Sequence, residues 1–187
     1  IKFKTNSDTE VLLKLLNVHK EQSLKYLDGM WSFAYYNFKD NNIIISRDRL
    51  GEKPLFLKWN KSNLYFSNSI KALYELDKEK LVFNNKKVKD CLRYPDKSLG
   101  LDNSTLFKKI NEFKKAHFLK INLSNNKFVY KRYWKLKVLQ KRIAFNKACF
   151  ELKRRIKKIV ATRSRSDVKN CMLISGGLDS NTIATFI

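Results

Sequence analysis

Four short runs rich in aromatic and β-branched residues, at 30–38, 43–46, 55–59 and 64–67, follow one another between polar breaks at 39–42, 47–54 and 60–63. That punctuation commits the first half of the chain to short antiparallel strands, read here as one meander. Ahead of it, Ser7 followed three residues later by Glu10 is a capping-box pattern, and Val11, Leu12, Leu15 and Leu16 then recur at helical spacing, so a helix starts at Ser7. Asp28-Gly29 ends that pattern. After the meander come a short helix at 70–76, a less regular stretch with a helix near 86–93, and a hairpin of 118–123 and 127–133 joined by Ser124-Asn125-Asn126.

The organisation changes after Trp134. Phe145, Ala148, Cys149, Leu152, Ile156, Ile159 and Val160 mark the buried stripe of an amphipathic helix. A polar turn, a short apolar strand at 171–174, a glycine turn and a new helix from about Ser180 follow. Helix, strand, glycine loop and helix open an α/β nucleotide-binding layer. We therefore place a boundary near 134–143, dividing the chain into domains at 1–138 and 139–187.

Composition narrows the function classes. No stretch of the 187 residues approaches the run of apolar residues needed to cross a bilayer, and the segment 1–5 lacks the apolar core of a signal peptide, so a cytoplasmic protein without a membrane partner is expected. Cys91, Cys149 and Cys171 form no CxxC pair and signal neither a disulfide framework nor a zinc site. The formal charge of +23 raises nucleic acid as a partner, but the lysines are scattered beside abundant Asn, which favours compositional bias over a binding surface. The exception is the basic cluster at 153–165.

The string Ser175-Gly176-Gly177-Leu178-Asp179-Ser180 carries the chemistry. A tight turn into a helix presents unpaired N–H groups and the positive end of the helix dipole to one point, which suits a phosphate. Gly176 and Gly177 permit positive φ and close approach of an anion, while Ser175 and Ser180 donate hydroxyl bonds. Asp179 either holds the loop by accepting backbone bonds or engages a magnesium ion that accompanies ATP. No Lys follows the glycines at Walker spacing, so the loop is read as the type that grips pyrophosphate when ATP is cleaved at its α-phosphate.

With that loop, Ser7-Asp8-Thr9-Glu10, the run from Leu27 through Ala34 (LDGMWSFA), the run from Arg47 through Leu55 (RDRLGEKPL), Ile70-Lys71-Ala72-Leu73, Arg132-Tyr133-Trp134 and Arg165-Ser166-Asp167-Val168 occur in the order found in glutamine-hydrolysing asparagine synthetases, which the chain resembles from end to end. The resemblance implies the later part of an α+β N-terminal-nucleophile sandwich, a glutaminase, followed by the start of an α/β adenine-nucleotide-binding synthetase domain. It implies glutamine, aspartate and ATP as substrates, magnesium as cofactor, and amide formation through β-aspartyl-AMP; a homodimer is open as the assembly. On its own, Asp8 reads as a first-turn carboxylate offsetting the helix dipole. The resemblance assigns it to the α-ammonium of glutamine. Ile174, Ser175, Gly176, Gly177, Asp179 and Ser180 match the ATP loop, and Arg47, Asp48, Arg49 and Lys53 are expected to be architectural. The nucleophilic cysteine of that family lies ahead of the Ser7 segment, so no catalytic residue is expected in this chain, which alone is expected to be an inactive internal piece. Two departures, Ser69 for a usual Glu and Lys115-Ala116-His117 for Pro-Gly-His, leave open a relative acting on another carboxylate, such as a sugar acid or a β-lactam-type substrate. A basic nucleic-acid-binding module is the alternative from a different class. His19 and His117 are read as surface or packing residues.

Overall fold

The computed structural model describes residues 2–60, 63–95, 102–138, 140 and 142–187. Its backbone divides into two units, Ile1–Leu136 and Lys137–Ile187. Residues 139 and 141, within the expected boundary, lie outside the described residues.

The first unit opens with α1 (Asp8–His19), capped by Ser7, whose hydroxyl accepts the Thr9 N–H at 3.2 Å. The other half of the capping box is altered. Glu10 reaches past Ser7 to the N–H groups of Lys4 and Thr5, at 2.9 and 2.7 Å, and pairs with Lys14 at 2.6 Å. These partners, Lys14 first, hold the Glu10 carboxyl down to a pKa of about 2. The incoming chain is thereby pinned to the helix that carries Asp8.

A 3-10 turn (Lys20–Lys25) leads into β1 (Ser32–Asn37) and β2 (Asn42–Arg47), followed by β3 (Phe56–Asn60), β4 (Asn63–Ser67), α2 (Ile70–Asp77), α3 (Asn85–Arg93), β5 (Ile110–Glu112), β6 (His117–Asn122) and β7 (Lys127–Arg132). The expected meander divides between two sheets. One is antiparallel in the order β1-β2-β6-β7, the other in the order β4-β3-β5. Alternation of apolar residues marks a strand but does not name its neighbour, and the inner edge of β2 is taken by β6 rather than β3. The three-residue β5, which gave no run long enough to detect, completes the second sheet on β3.

The two sheets pack face to face. Ile43 and Ile45 of β2 and Leu119 and Ile121 of β6 lie two residues apart and so share a face, where they meet Leu57, Leu64 and Phe66 of the other sheet around Leu55 and Phe113. The opposite face of β1 and β2 presents Phe33, Tyr35 and Ile44 to Leu12 and Leu16 of α1. Helix on sheet on sheet is the α+β sandwich expected. On the face of β3 opposite Leu57, Lys58 is 3% exposed and pairs with Asp77 and Glu79. Burial alone would lower its pKa, but the bonds to Asp77 and Glu79 outweigh burial and raise it.

The second unit contains α4 (Phe145–Arg163) and α5 (Leu178–Ala184). The expected strand at 171–174 does not form, and Leu173 is 97% exposed. A strand is defined by its ladder, and no described segment of this unit lies beside these residues to supply one. The expected buried stripe of α4 is also mostly uncovered. Val160 is buried and Ala148 and Ile156 are half-buried, whereas Phe145, Cys149, Leu152 and Ile159 are exposed.

Candidate functional site

Three of the sequence segments converge on one cleft of about 590 Å³. Asp8 and Thr9 from the start of α1, residues 27–33 from the turn into β1, and Lys53 from the loop after β2 all line it. Gly29 makes the turn at φ +143°, a conformation open to glycine. Asp8 stands in the first helical turn with an exposed carboxylate, touched by the Thr9 hydroxyl at 3.4 Å. The indole Nε1 of Trp31 is buried and has no hydrogen-bond partner among the described residues. The cleft thus offers a carboxylate for a cation and a lysine for an anion.

The loop behind Lys53 is held from within. Asp48 is fully buried, and its Oδ1 accepts the N–H groups of Leu50, Gly51 and Glu52 at 3.0, 2.7 and 3.0 Å, while Oδ2 accepts that of Lys53 at 3.0 Å. Burial would raise its pKa, but the four backbone donors reverse that and lower it. Arg47 ties the other side: Nε donates to the Lys53 carbonyl, Nη2 to that of Gly51, and Nη1 to the Phe113 carbonyl and the Glu112 carboxylate. Gly51 has φ +74°, and a Cβ there would meet Arg47 Cζ at 3.2 Å. Arg49 donates to the Lys25 carbonyl and lies 5.8 Å from the Trp134 ring. Arg47, Asp48 and Arg49 thus take the architectural role expected of them, whereas Lys53 joins the loop through its backbone and lines the cleft.

Tyr133 joins this frame to the cleft. Its ring stacks on Trp31 at 6.2 Å, and its hydroxyl donates to the Arg47 carbonyl at 2.9 Å. Burial first, then the Asp48 charge, pushes its pKa well up. The neighbouring Ala116 adopts φ +60°, bonded through its N–H to the Asp48 carbonyl and through its carbonyl to the Tyr133 N–H. That left-handed position is where glycine is common in the resembled family, and alanine holds it here at about 1–2 kcal/mol. His117 packs on Tyr130 at 5.2 Å with Nδ1 on the Lys115 carbonyl, and burial lowers its pKa.

In the second unit the glycine loop is closed by side chains. Ser180 Oγ donates to the Gly177 carbonyl at 3.0 Å and sits 3.1 Å from Ser175 Oγ, and Asn181 Nδ2 donates to the Gly176 carbonyl at 3.2 Å. Only Gly176 has positive φ, +80°, and a Cβ there would meet nothing within 4 Å. Gly177 is extended, φ −73°, and caps α5, which begins at Leu178 rather than near Ser180. Asp179 accepts no hydrogen bond from the loop backbone among the described residues, so the loop is held by Ser175, Ser180 and Asn181. Ile174 precedes it and is exposed.

Residues 1–134 match the model of the glutamine amidotransferase domain. The chain belongs to that family. Residues 151–187 match the model named asparagine synthase, so the glycine loop falls in the second match and the Asp8 cleft of the amidotransferase in the first. The amidotransferase chain is 30% identical over 97% of its length to the glutamine-hydrolysing asparagine synthetase 3 of Bacillus subtilis, covering 29% of that protein. It is 29% identical over 98% of its length to asparagine synthetase 2 of the same organism, covering 26% of it. It therefore spans roughly a quarter to a third of the curated relatives it matches. A solved glutamine phosphoribosylpyrophosphate amidotransferase from B. subtilis, complexed with ADP and GMP, covers the whole chain at 15% identity with a TM-score of 0.47.

Sequence reasoning assigned Asp8 a ligand but missed Trp31, Tyr133 and Asn181. Trp31 and Tyr133 stood inside the quoted motifs, yet only the fold stacks them. Among the described residues, no group of three His, Cys, Asp or Glu side chains is arranged to hold a metal, all three cysteines are free, and no helix is long and apolar enough to cross a membrane. None of the cysteines lines the Asp8 cleft.

Proposed function

We propose that this chain forms one wall of the glutamine site and one wall of the ATP site of a glutamine-hydrolysing asparagine synthetase. The observation that carries the reading is the convergence of Asp8, the Leu27–Phe33 segment and Lys53 on one cleft, backed by a loop that the buried Asp48 holds rigid. In this reading Asp8 binds the α-ammonium of glutamine, an ion pair that positions the amide for attack by a nucleophile not among these residues. Trp31 walls the cleft, and Tyr133 keeps its ring in place.

The open space over Gly176, where no Cβ would meet anything within 4 Å, fits a phosphate approaching the backbone. Ser175, Gly176, Gly177 and Ser180 would hold the pyrophosphate of ATP, with Ile174 leading the chain to it. Asp179 is free of loop bonds, and a single carboxylate suits magnesium, which keeps most of its waters and shares phosphate oxygens. ATP supplies the leaving group that makes a carboxylate electrophilic, here the side chain of aspartate, in a cytoplasmic biosynthetic step. The departure at Lys115-Ala116-His117 lies in the frame behind the cleft, not in either candidate site, and so does not favour another acceptor.

The test is kinetic. In the gene product that carries this chain, Asp8→Asn should raise KM for glutamine about tenfold or more, the scale of one charge-assisted contact, while ammonia-supported amide formation keeps its rate. An unchanged KM for glutamine would contradict the assignment.

A further inference from the structure

A second cavity of the first unit, about 650 Å³, lies away from the Asp8 cleft, along the open face of β6 and β7. Lys120 of β6 and Lys127, Val129 and Lys131 of β7 share this face, because Lys120 pairs with Val129 in register and side chains alternate along a strand. Lys25 from the 3-10 turn stands at its rim. Lys120 is paired with Glu21, but Lys25, Lys127 and Lys131 have no acidic partner among the described residues. Among the described residues β7 is also the outer strand of its sheet, and every residue in it is exposed.

The ladder fixes which backbone groups are unused. The Tyr133 N–H bonds to the Ala116 carbonyl, so alternation turns the N–H and C=O of Lys127, Val129 and Lys131 toward β6 and those of Phe128 and Tyr130 outward. The two faces of this free edge differ in chemistry. On one side stand the lysines. On the other, Phe128 and Tyr130 are 63% and 41% exposed, and Phe128 lies against Trp59 at 6.2 Å.

We infer that the free edge of β7 is a docking site for an extended acidic peptide that adds a fifth strand to the sheet, its alternate residues acidic toward the lysines and apolar toward Phe128 and Trp59. Backbone pairing supplies affinity and the alternate side chains supply selectivity. Charge decides the occupant: a second copy of this chain would bring its own Lys127 and Lys131 against the same row, and edge lysines serve to repel such self-pairing. An acidic strand turns that repulsion into attraction. A nucleic acid strand would use the lysines but leave the outward N–H groups of Phe128 and Tyr130 and the aromatic side unused.

The probe is a blocked peptide of about six residues alternating Glu and Val, the length of a common strand. Binding by fluorescence anisotropy should slow hydrogen exchange at the Phe128 and Tyr130 amides of the gene product. Phe128→Pro, which removes an outward N–H and leaves the inner ladder intact, should weaken binding about tenfold. The pair Lys127→Glu and Lys131→Glu should shift preference to a Lys-Val peptide. Binding without protection of those two amides would overturn the proposal, as would equal affinity in the charge-reversed protein. So would a single-stranded oligonucleotide that binds the lysine row of β7 more tightly than the peptide and leaves both amides unprotected.

Discussion

Replacing Asp48 by Asn keeps the shape of the side chain and removes its charge, which isolates what the carboxylate does for the loop behind the cleft. Oδ1 can still accept from Leu50, Gly51 and Glu52, but as a neutral acceptor with bonds roughly half as strong. Where Oδ2 accepted the Lys53 N–H, an amide NH₂ now faces another donor. One lost charged bond costs about 1.5–3 kcal/mol, and an unpaired buried N–H adds about 1–3 kcal/mol. Asp48→Asn should therefore destabilise by about 3–4 kcal/mol, and Asp48→Ala, which orphans all four donors, by more. With a urea slope of about 2 kcal/mol/M, the Asn variant's midpoint falls by about 1.5–2 M, read from the fluorescence of Trp31 and Trp134 close to the loop. The pH dependence has a definite sign. The folded-state pKa of Asp48 is lowered, so its stabilisation is present above the unfolded value near 3.9 and is lost as pH falls through the lower folded value. The gap between wild type and Asn variant should accordingly close below about pH 4. A midpoint within about 0.3 M of wild type at pH 7 would refute the reasoning, since it would mean the buried carboxylate is replaceable by any acceptor of its size.

Two further perturbations address the frame. Lys58→Ala leaves the Asp77 carboxylate, 5% exposed, without its cation and should cost about 3–5 kcal/mol, whereas Lys58→Met combined with Asp77→Leu should recover most of that in urea unfolding. Tyr133→Phe removes the bond to the Arg47 carbonyl and should cost about 1 kcal/mol by thermal unfolding, with a change in Trp31 emission because the stacked ring is freed to shift.

The strands were legible from apolar runs of four or more residues, and α1 to α4 and six of the seven described strands fall within a few residues of the segments read from the sequence. The hairpins were legible, β1 with β2, β3 with β4 and β6 with β7, but the pairing between them was not, because β2 and β6 meet across a long stretch of chain and nothing local in residues 43–45 prefers β6 to β3. Nothing local in the sequence marks Lys58 as buried; only the end of α2, which brings back Asp77 and then Glu79, gives its charge a partner. The role of Asp48 was half legible. Gly51 and Pro54 marked a loop and the resemblance gave Asp48 an architectural role, but four N–H groups meeting one carboxylate is a property of the folded backbone. The departure Lys115-Ala116-His117 gains a physical meaning in the φ of Ala116. In the second unit the local signals for both helices and the turn held, whereas the strand at 171–174 needs a ladder partner that periodicity cannot supply.

The division of labour between the two candidate sites is the claim on which the functional account depends. It is tested most directly by Asp179→Ala in the gene product, with glutamine hydrolysis and ATP-dependent amide formation measured on the same folded preparation. Asp179 is exposed at the start of α5, so the change should leave the fold intact. The account predicts that amide formation from either glutamine or ammonia is lost while glutamine hydrolysis remains measurable. Loss of both activities in a folded variant, or retention of both, would contradict it.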